Sequence, residues 1–167
     1  ILNNGMEIKD VSNMSGDHAV AIDTLSSEQI EVIRGPASII YGGGAVGGII
    51  NIIDHRIHSE YIDGVFGKYD QNFGGANDQS SSAFAFDYGH NDNLMFHLDG
   101  YRRDSKNLSI PGFSVSKRLV ESDSEFTRDK YGKDTLQSSD NKSAGGSLGV
   151  SHFFDDGYTG LAFSGHR

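Results

Sequence analysis

The chain has no cysteine among its 167 residues, and basic residues are outnumbered, with a net charge of −9. The missing thiols exclude a disulfide framework and any thiolate metal site. The hydrophobic fraction is only 36%, and no run approaches the ~18 apolar residues of a membrane-spanning helix. The acidic balance argues against nucleic acid, whose phosphates require a basic surface, but it is compatible with a cation ligand.

Catalytic motifs are also missing. Ser, His and Asp all occur, yet no nucleophile elbow or other spaced catalytic constellation is found. We therefore expect no enzymatic activity and no prosthetic group.

Glycine is abundant, and many of its 22 copies lie in or near residues 30–54, the most informative stretch. The β-branched residues 30–33 predict a short buried strand, which an Arg-Gly-Pro corner at 34–36 ends. Proline suits the first helical position, so residues 37–41 are predicted to form one helical turn. Residues 46–53 predict a second buried strand.

A phosphate-binding loop is the competing interpretation of the glycine run at 42–48. Such a loop follows a strand, opens a helix and usually ends in Gly-Lys-Ser/Thr. Here the run follows the predicted helical turn, opens a strand and contains no lysine. A structural role for the glycines is therefore favoured.

This order of elements resembles the C-terminal half of the plug domain of TonB-dependent outer-membrane receptors. The residues that carry the resemblance are Arg34, Gly35, Pro36, Tyr41, Gly42, Gly47 and Gly48. It implies plug-gated uptake driven by the TonB complex, in the outer membrane of a Gram-negative bacterium and in contact with its lipid. We expect the segment that contacts TonB to lie outside these 167 residues. Arg34, next to a buried strand, is expected to pair with a carboxylate such as Glu31.

In the remainder of the chain, apolar and polar residues alternate with a period of two. Strands are predicted at 61–69, 82–88, 93–103, 143–154 and 158–166. The lipid-facing residues would be Phe84, Phe86, Leu94, Phe96, Leu148, Leu161 and Phe163, with His97 and Asp99 on the other face. A lipid-facing barrel wall requires such a pattern, although a β-sandwich sheet with one wet face produces it too.

Connection lengths favour the barrel. The turns at 89–92 and 155–157 are short and rich in Gly, Asn and Asp, whereas 103–143 is long and polar. Outer-membrane barrels combine short periplasmic turns with longer extracellular loops, and both short turns would then lie on the periplasmic side.

The predicted fold class is therefore β-rich, of the membrane β-barrel class. Residues 1–54 are the C-terminal part of an α/β plug, 55–60 a linker, and 61–167 the first five or so strands of an antiparallel transmembrane barrel. A plugged barrel needs about 22 strands, so the chain is expected to be part of a longer receptor.

The cargo is predicted from residues 4–23. Asn4-Gly5-Met6 resembles a plug hairpin, and the run from Asp17 to Asp23 resembles the zinc-uptake, ZnuD-like branch of the family. That resemblance implies that Asp17 and His18 help to bind Zn²⁺ at the plug apex, a donor set that zinc accepts. The alternative is a plain loop in which Asp17 makes a turn and His18 is solvated.

Other histidines carry less weight in the sequence. His55 and His58 are expected in an exposed linker, and none of the remaining histidines predicts a metal cluster.

The alternative cargoes are a ferric siderophore or haem, taken up by the same kind of receptor. The non-transport alternative is a surface adhesin or a passive porin-like barrel.

Overall fold

The computed structural model describes residues 1–7, 27–35, 48–122 and 131–167. Asp17, His18, Pro36, Tyr41, Gly42 and Gly47 lie outside these ranges, as does the helical turn predicted at 37–41. The strands are β1 (Leu2–Asn3), β2 (Met6–Glu7), β3 (Gln29–Ile33), β4 (Ile49–Ile53), β5 (Gly64–Gly74), β6 (Gln79–His90), β7 (Leu94–Ser105), β8 (Leu108–Phe113), β9 (Lys133–Leu136), β10 (Asn141–Phe154) and β11 (Gly157–His166), and helix α1 (Lys117–Ser122) lies between β8 and β9. Within the described ranges, no helical segment has the length and apolar character needed to cross a bilayer.

The N-terminal strands form a four-stranded sheet in the order β2-β1-β4-β3. The β1–β2 hairpin turns at Asn4 and Gly5, whose φ angles are 48° and 77°. Asn-Gly suits a two-residue hairpin because both central residues of its type I′ turn need positive φ. β1 then pairs in parallel with β4, and β3 pairs with β4 in antiparallel fashion.

The burial expected in this part of the chain is wrong. The strand predicted at 30–33 exists, but it is not buried, because Ile30 and Val32 are 48% and 58% exposed. The cause is its position at one edge of the sheet. Arg34 is likewise exposed, so it needs no partner to offset burial. Glu31 accepts a hydrogen bond from Asn51 Nδ2 at 2.9 Å instead.

A second sheet of five strands has the order β11-β10-β7-β6-β5, and every neighbouring pair is antiparallel. The five predicted strands are therefore confirmed, but their boundaries shift, most of all in the first strand, which ends at Gly74 rather than at residue 69. The first begins at Gly64 rather than at residue 61, because the preceding residues cross the end of the sheet. There the Tyr61 hydroxyl accepts a hydrogen bond from the amide of Asp92 in the β6–β7 turn.

The two faces of this sheet differ in character. The open face carries a cross-strand row formed by Phe86, Leu98, Leu148 and Phe163, which are 40–78% exposed. The covered face carries the adjacent row of Asp87, His97, Gly149 and Ala162. Phe96 is 43% exposed and His97 only 6%, so the predicted register is confirmed.

The long polar segment between β7 and β10 contains the β8–β9 pair and α1, whereas the sequence pattern predicted no elements there. It lies at the end of the sheet that bears the β5–β6 turn, because the amides of Lys106 and Ser109 donate to the carbonyls of Asn77 and Ala76. The two short turns lie together at the opposite end, where the Phe153 amide donates to the Asn93 carbonyl at 2.8 Å. The prediction that both short turns share one side is confirmed.

The segment from residue 54 to residue 63, called here the junction linker, packs directly on the covered face. A Cβ at Gly149 would overlap the carbonyl oxygen of Arg56, and one at Gly89 would overlap that of Ile62. A Cβ at Gly160 would lie 2.5 Å from Ile57 Cγ2. Glycines on three strands thus provide the space that the linker backbone occupies.

Replacing Gly149 by alanine should therefore displace the junction linker. Overpacking of this kind costs about 1–3 kcal/mol, and we expect that loss in the free energy of unfolding, measured by urea titration of the intact protein. Gly165→Ala is the matched control, because nothing lies within 4 Å of a Cβ at that position in the same sheet. Equal stability of the two variants would contradict the close approach.

Candidate functional site

The described part of the plug motif has a structural role. Gly35 has a φ of +84°, which a side chain would strain. Gly48 has a φ of +143°, and a Cβ there would lie 2.9 Å from the Ile33 carbonyl oxygen. These two glycines let the chain turn after β3 and approach it again at the start of β4. The metal site expected at Asp17 and His18 lies outside the described residues and stays a prediction.

The junction linker is anchored by a polar network around Asp54 and Arg56. Arg56 Nε donates to Asp54 Oδ1 at 3.0 Å, and Arg56 Nη2 lies 2.8 Å from Asp54 Oδ2. The same guanidinium donates to Asn3 Oδ1 in β1 and, through Nη1, to Ser164 Oγ in β11 at 2.7 Å. One side chain therefore joins the N-terminal sheet, the linker and the second sheet.

The electrostatics of Asp54 reinforce this network. Burial alone would raise the pKa of Asp54. Hydrogen bonds from Arg56 and Asn4, together with the charge of Arg56, outweigh burial and hold the pKa below its ordinary value. The carboxylate is thus ionised and paired with the guanidinium at neutral pH.

Further along the linker, His58 belongs to a buried polar group that we call the junction cluster: His58, Asp87, His97 and Asp99. His58 Nε2 lies 2.8 Å from Asp87 Oδ1, and His97 Nδ1 lies 2.6 Å from that same oxygen. His97 Nε2 lies 2.9 Å from Asp99 Oδ2, which also accepts a hydrogen bond from Ser147.

Sheet register explains how three of these side chains meet. Asp87 on β6 is the direct cross-strand partner of His97 on β7, and Asp99 follows His97 by two residues on the same face. The fourth comes from the linker, whose His58 amide donates to Ser151 Oγ on β10 at 2.8 Å. That bond places the His58 ring above the covered face.

The expectation that His58 lies in an exposed linker is therefore wrong, since it is only 5% exposed. The sequence pattern places His97 and Asp99 on one face, but it does not reveal that the linker folds back over that face. His55 differs, because its side chain is 47% exposed and pairs with Glu28 at 2.7 Å. The sequence also does not reveal that donor atoms of His58, Asp87 and His97 lie within 4.8 Å of one another.

Comparison with known proteins finds similarity in the N-terminal part of the chain. Residues 1–49 match the TonB-dependent Receptor Plug Domain. A probable TonB-dependent siderophore receptor, PirA, of Acinetobacter baumannii is 54% identical over 33 residues, which are 20% of this chain and 4% of that protein. The vitamin B12 transporter BtuB of Vibrio vulnificus is 41% identical over 61 residues, 36% of this chain and 9% of that protein. The ferric enterobactin receptor of Pseudomonas aeruginosa is 58% identical over 33 residues, 20% and 4% respectively.

The matched stretches thus span less than a tenth of the length of these curated relatives. All three are receptors or transporters by name, not enzymes. Residues 1–49 are therefore similar to the plug domain of TonB-dependent receptors.

Proposed function

We propose that this chain is part of a TonB-dependent outer-membrane receptor that takes up a scarce metal nutrient, with Zn²⁺ as the cargo. One combined observation carries the receptor assignment. A chain segment that matches the plug domain continues directly into a sheet with one apolar exposed face and one face covered by the junction linker. This arrangement supports a plug that lies against part of a barrel wall.

The open face supports a position in lipid. Its large side chains, such as Phe84, Phe96, Leu148 and Phe163, are 43–78% exposed and lie on four successive strands of the sheet. A contiguous apolar surface of this kind is unusual on a monomeric soluble protein. In a barrel wall it contacts lipid tails, and the edges of the sheet pair with further strands, because unpaired backbone groups are untenable in hydrocarbon.

The topology supports an assignment of the two ends of the sheet to the two sides of the membrane. The linker enters β5 at the end of the sheet that carries the two short turns, which would be the periplasmic end. The β8–β9 pair and α1 project from the opposite, extracellular end. Cargo would bind between the plug apex and such extracellular segments, and TonB would act on the plug from the periplasm.

Gating requires that the plug can rearrange relative to the wall. The Asp54–Arg56 network connects both sheets. A movement of the plug must therefore either preserve these hydrogen bonds or break them. A ligand shifts the equilibrium between plug states only through different affinities for them.

Zinc is supported by the Asp17-His18 pair and by the acidic balance of the chain. A ferric siderophore is the second candidate, because two relatives are named as a siderophore receptor and a ferric enterobactin receptor. The acidic balance of the chain does not distinguish zinc from a ferric siderophore, so a direct binding measurement is needed.

Isothermal titration of the intact receptor with Zn²⁺, ferric enterobactin and haem distinguishes the cargoes. We expect the Asp17→Ala/His18→Ala variant to bind one Zn²⁺ ion fewer than the wild type, because each side chain supplies one zinc donor atom. His166→Gln, at an exposed position, is the control and should bind as many ions as the wild type. Tight ferric enterobactin binding by a protein whose zinc stoichiometry does not change in the double variant would favour the siderophore alternative.

A charge on the open face tests the membrane wall. Leu148→Arg should destabilise the inserted protein by about 2–4 kcal/mol if residue 148 lies near the bilayer midplane. Asp155→Arg introduces the same side chain in the exposed β10–β11 turn and should have little effect. Unfolding free energies in lipid vesicles provide the measurement, and equal values for both variants would argue for a soluble sheet.

The Asp54–Arg56 network should show a defined pH dependence. A carboxylate with a lowered folded-state pKa contributes stability that is fully present above its unfolded pKa of about 3.9 and is lost as the pH falls through the lower folded-state pKa. The difference in thermal stability between wild type and Asp54→Asn should thus be constant from about pH 5 to 8 and shrink below about pH 4.

Arg102→Ala is the matched control for Arg56→Ala in the same thermal assay. The Arg102 side chain is 75% exposed, and a surface ion pair contributes little. Arg56→Ala should lower the stability at neutral pH, whereas Arg102→Ala should not. If both variants behaved alike, Arg56 would not anchor the linker.

A further inference from the structure

We infer that the junction cluster is a binding site for a divalent transition-metal ion of the Zn²⁺ class, held by His58 Nε2, Asp87 Oδ1 and His97 Nδ1. This site is separate from Asp17 and His18. It lies near the end of the second sheet where the linker enters, and its existence does not depend on which cargo the receptor transports.

Convergence of the donor atoms is the first support. The two ring nitrogens lie 2.8 Å and 2.6 Å from one and the same carboxylate oxygen, so their lone pairs point to a common place once the protons are removed. In a tetrahedral zinc site, bonds of about 2.0–2.1 Å place donor atoms about 3.3 Å apart. The Asp87 oxygen therefore needs to move about half an ångström farther from each ring nitrogen, a change that side-chain rotation supplies. All three donor atoms lie within 4.8 Å of one another.

A second carboxylate on the far side of His97 is the second support. Asp99 Oδ2 lies 2.9 Å from His97 Nε2 and is itself held by the Ser147 hydroxyl. A proton kept on Nε2 leaves the Nδ1 lone pair free for a metal. Metal-binding histidines commonly donate their other N–H to a carboxylate in this way, which fixes the tautomer and the ring orientation.

Burial distinguishes this group from surface histidines. His58, His97 and Asp99 are 5–7% exposed, and the Asp87 side chain is 18% exposed. The His55 ring stacks on the His58 ring at 5.3 Å between centroids. An N₂O donor set with one position left for water or a fourth ligand suits Zn²⁺, Co²⁺ or Ni²⁺ and not Mg²⁺ or Ca²⁺, which prefer oxygen ligands.

A bound ion would connect elements that are far apart in the chain. His58 belongs to the linker that leaves the plug, whereas Asp87 and His97 belong to β6 and β7. The metal would thus fasten the linker to the wall. The competing structure is a purely hydrogen-bonded network in which His97 carries both ring protons between two carboxylates.

Cobalt titration of the intact protein in detergent distinguishes these two structures. The Asp17→Ala/His18→Ala background removes the other proposed site, and the visible absorption of tetrahedral Co²⁺ reports the junction cluster. We expect one Co²⁺ ion that Zn²⁺ displaces and Mg²⁺ does not. In that background, His58→Gln and His97→Gln should each lose the signal.

Asp99→Asn keeps all three metal ligands and should weaken the affinity by roughly 10–100-fold. His152→Gln is the control, because this exposed histidine follows Ser151 on β10 and is not a member of the cluster. It should bind Co²⁺ like the parent. Thermal unfolding with and without Zn²⁺ provides a second readout, because ligand binding to the folded state raises stability. That increase should disappear in His58→Gln.

Absence of a Co²⁺ signal in the folded parent would overturn the proposal in favour of the hydrogen-bonded network. A signal that persists in both His58→Gln and His97→Gln would also overturn it, since the ion would then bind elsewhere. If one glutamine variant fails to fold, the affinity loss in Asp99→Asn still decides between the two structures.

Discussion

The close approach of the junction linker to the covered face is the constraint on which the rest of this structure depends. Backbone atoms of Arg56 and Ile62 occupy the space that side chains at Gly149 and Gly89 would fill. Because the linker lies there, Arg56 reaches β11 and His58 reaches Asp87. The face it covers can therefore be polar, since linker groups satisfy the hydrogen bonds of its buried side chains.

This constraint separates the two faces of one sheet into different environments. Alternation along each strand sends aromatic and aliphatic residues outward and Asp, His, Ser and Gly inward. In the proposed receptor, the outward surface would contact lipid, and the inward surface would contact a plug that stays attached yet movable. Polar contacts between the plug, the linker and the wall would serve that purpose better than a large apolar interface, which is typical of permanent complexes.

The sequence predicts much of the fold because its signals are local. Alternation predicts the five strands and the opposite faces of Phe96 and His97, and the Asn4-Gly5 pair predicts the first hairpin. The return of His58 to Asp87, 29 residues later, has no local signal. Exposure of Ile30 and Val32 is similarly a matter of sheet order, which β-branched composition does not encode. The junction cluster thus emerges only when the linker is placed against the sheet.

The central claim is that one face of the second sheet meets lipid and the other meets the plug and its linker. The chain has no cysteine, so single spin labels at Phe163→Cys and Ala162→Cys report the two faces of β11 directly. In lipid vesicles, the label at residue 163 should be relaxed by oxygen dissolved in the bilayer and protected from a water-soluble nickel chelate. The label at residue 162 should be shielded from oxygen. Equal and high accessibility of residue 163 to the nickel chelate would contradict the account.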